Sequence, residues 1–84
     1  MLYPLEYVVW VDATGYSGWK TEDEIGGLHT VYTVGFLMRE TDEYVAYAQS
    51  WGLGEDGHEK EVDHVLLIPK GWIKQRRSLE PAGI

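Results

Sequence analysis

Apolar and polar residues alternate with a period of two along much of this chain, and that pattern predicts strands rather than helices. Residues 5–13 (LEYVVWVDA) set Leu5, Tyr7, Val9, Val11 and Ala13 on one face, with Glu6, Val8, Trp10 and Asp12 on the other. Residues 30–39 (TVYTVGFLMR) carry the strongest strand signal, apolar on both faces, as a central or strongly bent strand requires. Gly35 within it predicts a bulge or a close backbone approach. The polar turn 40–43 and residues 44–51 (YVAYAQSW) complete a hairpin. Residues 63–68 (DHVLLI) read as a fourth strand, broken by Pro69, and residues 72–79 as a fifth, with Ile73 and Leu79 as core contacts.

The intervening segments read differently. Residues 14–18 (TGYSG) have turn chemistry, and Thr21-Glu22-Asp23-Glu24 has the form of a capping box. Gly26-Gly27 limits that helix to about one turn inside a long first loop. Residues 52–62 (GLGEDGHEKEV) are glycine-rich, charged and aperiodic, which predicts a solvated, mobile loop. Five short strands with these connections predict a mostly β, five-stranded antiparallel barrel of the SH3-like or Sm-like kind, with one short helical turn in the first long loop. Eighty-four residues make one domain, with residues 80–84 as a loosely ordered tail.

Composition narrows the function. The chain has four Trp, six Tyr and one Phe, so a small core is affordable and disorder is excluded. With no cysteine, neither disulfides nor thiolate metal sites hold it together. No apolar run approaches a membrane span, and the N-terminal residues lack the basic and apolar regions of a signal peptide. Fourteen acids against seven bases give a net charge of −7, and thirteen of those acids lie before residue 70, where only three bases are found. Such a body repels a polyanion, which weighs against nucleic acid as partner. It favours solubility, or recruitment of a basic protein surface.

Nothing in the chain has the spacing of a catalytic motif. Ser17, Ser50 and Ser78 lie outside any nucleophile elbow, and no phosphate-binding glycine loop is present. The run Glu55, Asp56, His58, Glu59, Glu61, Asp63 and His64 offers metal-ligand chemistry, but without helical or EF-hand spacing it reads as a solvated surface, and no metal or other cofactor is expected. The expectation is a non-enzymatic binding protein. Trp10 and Trp72 are assigned to the core. Tyr16, Trp19 and Trp51, near loops or strand ends, are candidate partner anchors, and Glu55, Asp56, Glu59 and Glu61 a candidate recruiting surface. An alternative is a small-molecule or nucleotide sponge that stacks a base on these aromatics and meets phosphates with Lys70, Arg76 or Arg77.

The strings Val9-Trp10-Val11-Asp12-Ala13, Gly18-Trp19, Thr33-Val34-Gly35-Phe36-Leu37 and Ile68-Pro69-Lys70 resemble a loose group of small uncharacterised proteins of tailed bacteriophages. The resemblance covers most of residues 8–79 and is structural in character. It implies a phage accessory protein in the bacterial host cytoplasm that binds and modulates a host or phage protein, such as a defence factor or a nucleic-acid enzyme. A structural, oligomerising virion module is the remaining alternative. A monomer or a small closed oligomer is expected in either case.

Overall fold

A computed structural model describes residues 3–79. Five strands form one antiparallel sheet: β1 (Leu5–Asp12), β2 (His29–Glu40), β3 (Tyr44–Leu53), β4 (Lys60–Pro69) and β5 (Ile73–Leu79). Their order is β4-β3-β2-β1-β5. Single 3-10 turns lie at Glu22–Glu24, inside the first loop, and at Lys70–Trp72, before β5. The sheet is open. The strands expected to close a barrel, β4 and β5, are instead its two edges. The expected tail, residues 80–84, lies outside the described residues.

β2 changes partner along its length, and Gly35 marks the place. Residues 29–36 pair with β1, whereas Phe36–Glu40 pair with β3. A Cβ on Gly35 would sit 2.9 Å from Tyr47 Cβ and 3.3 Å from the Ala48 carbonyl oxygen, so only glycine lets the two strands meet there. The bulge comes three residues later, where Leu37 faces Tyr47 but Arg39 faces Ala46 and Met38 is left over.

The second hairpin is longer than its sequence suggested. Ser50, Trp51, Gly52 and Leu53 face Asp63, Val62, Glu61 and Lys60, so the expected loop 52–62 contracts to a turn over residues 54–59. That turn is ordered by its own polar groups. Asp56 Oδ1 accepts the backbone N–H groups of His58 (2.9 Å) and Glu59 (3.1 Å). Gly57, at φ 73°, donates to the Gly54 carbonyl at 2.8 Å. Charge and glycine hid a pairing that backbone hydrogen bonds supply regardless of side chain.

One face of the sheet holds the core. Val8, Trp10, Val45, Tyr47 and Ile68 are buried together, with Val31, Leu37 and Ile73 against them. The Trp10 indole N–H donates to Thr33 Oγ1 at 3.0 Å, which satisfies its polar edge. Trp72 departs from expectation and is 42% exposed. The β1–β5 register shifts beside Lys74, so Ile73 faces Trp10 and takes the core position, leaving Trp72 on the outer turn.

A polar network crosses the same inner face. Buried Glu6 accepts the Tyr47 hydroxyl at 2.7 Å and the Arg76 guanidinium at 3.0–3.1 Å through Oε1. Arg76 also donates to Glu40 (3.0 Å), whose carboxylate meets Lys70 at 2.9 Å. Four strands and the second 3-10 turn are thereby tied by side chains. Hydrogen bonds from Arg76 and then Lys70 hold the Glu40 carboxyl down to about 2. Burial, reinforced by Glu6, pushes the Tyr47 phenol above its ordinary value.

The molecule is elongated, 56 × 26 × 25 Å, with a radius of gyration of 16.8 Å. A compact chain of this length would have about 12 Å. The long β3–β4 hairpin accounts for the difference, and much apolar surface therefore stays uncovered.

Candidate interaction surface

The acids fall in two segments. The β1–β2 loop (residues 13–28) carries Glu22, Asp23 and Glu24, and the end of the β3–β4 hairpin carries Glu55, Asp56, Glu59, Glu61 and Asp63. Together they hold eight of the fourteen carboxylates, against Lys20 and Lys60 alone in the same segments. The hairpin leaves β2 beyond Ala48 and packs Trp51 and Lys60 on Tyr3, ahead of the start of β1, whereas the loop leaves the other end of that strand.

The expected anchors occupy distinct settings. Trp19 is fully exposed in the loop, and Ile25 and Leu28 are exposed beside it in sequence. The Tyr16 hydroxyl accepts the Gly26 backbone N–H at 2.8 Å, across ten residues, and so staples the loop. Trp51 is half-buried on β3 and meets Tyr3 edge-on at 5.1 Å between ring centroids, with Lys60 6.0 Å from the Tyr3 ring. Of the acids, Asp56 holds the turn, and its backbone hydrogen bonds lower its carboxyl below the usual range. Glu55 and Glu59 are exposed on the turn, while Glu61 is exposed on β4. Trp19 is free in the loop, whereas Trp51 is packed by Tyr3, ahead of the opposite end of β1.

The candidate cations are brought together only in part. Lys70 and Arg76 meet on Glu40, already neutralised by carboxylates, whereas Arg77 faces Tyr7 on the opposite side of the sheet. A cleft of about 390 Å³ lies elsewhere, lined by Val11, Asp12, Leu28, Trp72 and Lys74. The sequence reading missed it, because it depends on the displaced Trp72. It also missed the Glu6–Arg76 pair, although a glutamate alternating in step with Val8 and Trp10 demands a buried partner.

Among the described residues no three His, Asp or Glu side chains converge on a metal position. None of the described helices is long and apolar enough to cross a membrane. Comparison with family models, with curated proteins and with solved structures finds no match for this chain.

Proposed function

We propose that the chain is a non-enzymatic protein-binding module that captures a basic surface of another protein with the loop end of its sheet. The observation that carries this reading is the fully exposed Trp19 in a loop that also carries Glu22, Asp23 and Glu24. A large exposed aromatic beside one sign of charge supplies an anchor and a steering field together. The phage resemblance makes a bacterial host protein the expected partner, met in the host cytoplasm as an accessory or inhibitory factor. A loop carried on a hydrogen-bonded sheet is a common place for a binding site.

A photo-crosslinking amino acid at position 19 tests this, with Gln75 on β5 as the control position. Covalent capture of one basic protein from host lysate at 19, absent at 75, supports the reading. Equal labelling at both positions, or none, sinks it. The small-ligand reading has one observation in its favour, the cleft beside Trp72 with Lys74 at its wall. Its volume falls in the range of about 300–1,000 Å³ usual for ligand sites. A nucleotide-dependent rise in melting temperature, lost in Trp72→Ala, would favour it instead.

A further inference from the structure

We propose that the sheet face opposite the core, across β1, β2 and β5, is a stacking platform for a short single-stranded nucleic acid, with Tyr32 and Trp72 as ring stations and Lys74 and Arg77 as phosphate contacts. Register defines the face. Tyr7 is flanked by Val34 and Arg77, and Val9 by Tyr32 and Gln75, whereas Val8 and Trp10 between them point into the core. The face is uncovered: Tyr32 is 68% exposed, Val34 55% and Trp72 42%. Tyr32 lies nearly parallel to Tyr7, with planes 24° apart and centroids at 6.5 Å, which steadies the ring while its other side stays open. On the far side of β1, two strand spacings or roughly 10 Å across the sheet, Trp72 walls the cleft of about 390 Å³ with Val11, Leu28 and Lys74.

Charge on this face selects the occupant. The chain carries −7 overall, yet the acids of these three strands, Glu6, Asp12 and Glu40, all fall on the core side by register. Asp12 reaches the rim of the cleft, where its carboxylate accepts the Ala13 N–H at 2.8 Å. Lys74 is the residue left over where the β1–β5 register shifts, so it joins Gln75 on this face instead of alternating with it. Lys70 and Arg76 take the Glu6 and Glu40 carboxylates, whereas Lys74 and Arg77 enter no ion pair among the described residues. Open rings with unpaired cations beside them suit bases that stack in succession and the phosphates that join them. An acidic peptide or an anionic lipid would use the cations and leave the rings idle. Two cations hold only a short stretch of backbone, and the acids of the β1–β2 loop and the hairpin repel a longer one. A mononucleotide in the cleft needs Trp72 alone; Tyr32, outside the cleft, is needed only by a strand that crosses the sheet.

Fluorescence anisotropy of labelled oligothymidylate and oligouridylate, each of about ten nucleotides, reads binding to the full chain. At low salt a dissociation constant on the order of 100 μM or tighter is expected. The logarithm of the binding constant should fall by about 1.4 per decade of salt, at about 0.7 for each of two phosphate contacts. Tyr32→Ala and Trp72→Ala should each weaken binding about tenfold, through loss of one stacked base. Lys74→Gln and Arg77→Gln should each lower the salt slope by about 0.7. All four side chains are exposed, so the circular dichroism spectra should match that of the parent. Trp19→Ala should leave this binding unchanged, so failure here and failure of protein capture by the loop are read separately. No binding with the protein at several hundred micromolar overturns the proposal. Binding that Tyr32→Ala leaves unchanged overturns it too, since it indicates a mononucleotide site in the cleft or attraction by charge alone. Equal competition by polyglutamate, by phosphatidylserine vesicles or by a duplex, whose bases are closed to the rings, overturns it as well.

Discussion

Gly35 and Tyr47 approach so closely that a Cβ on the glycine would stand 2.9 Å from that of the tyrosine. Tyr47 is almost completely buried and cannot yield, because its hydroxyl is held by Glu6. The strand crossing that defines the sheet therefore depends on a missing side chain.

Gly35→Ala is expected to destabilise by about 1–3 kcal/mol, the usual range for overpacking a filled site. Gly52→Ala is the control, since nothing lies within 4 Å of its would-be Cβ. It should stay within roughly 0.5 kcal/mol of the parent. Urea midpoints of the two variants compare them directly, and equal midpoints would remove the close approach.

Arg76→Met leaves the Glu6 carboxylate buried without its cation. Breaking such a pair from one side costs about 3–5 kcal/mol, whereas Tyr47→Phe removes one hydrogen bond at about 1–2 kcal/mol. Glu6→Gln combined with Arg76→Met should recover part of the larger loss. A double-mutant cycle by chemical denaturation measures the coupling; additive losses would mean that the two groups do not interact.

Acid should loosen β5 and the second 3-10 turn from β2. The Glu40 carboxyl is held at about 2, below its ordinary 4.5. A depressed carboxyl stabilises the fold above its unfolded value, and that contribution is lost as pH falls from about 4.5 towards 2. Glu40→Gln should flatten the stability profile in that window and leave its shape near neutrality unchanged. Thermal melts across pH 2–7 check this.

Asp56→Ala removes the acceptor of two backbone N–H groups in the β3–β4 turn. A urea midpoint below that of the parent is expected. Amide exchange at His58 and Glu59 should accelerate, while the core strands stay protected. Unchanged exchange at those two amides would show that the turn does not rely on this carboxylate.

Binding kinetics separate the Trp19 loop from the acidic hairpin. Because Asp56 holds the turn, charge is best removed at Glu55, Glu59 and Glu61 by Gln substitution. That variant should associate more slowly at low salt and keep its complex lifetime. Trp19→Ala should shorten the lifetime with little change in association rate. Surface interferometry against the crosslinked partner reads both rates, and a triple variant as fast as the parent would end the recruitment idea.

Strand identity was legible in the chain because period-two alternation and β-branched or aromatic residues act locally, within a few positions. The same locality made Gly35 readable as a close approach and Pro69 as a strand end. It misread residues 52–53 and 60–62 as loop, since backbone pairing there is set by the partner strand rather than by side-chain character. It misplaced Trp72, whose exposure follows from a one-residue register shift against β1. The Glu6–Arg76 pair spans 70 residues, beyond the reach of any local pattern. Sequence by itself determined which segments become strands. Only the tertiary structure decided that the sheet stays open, which strands form its edges and which charges pair across it, because those depend on register and strand order across the whole chain.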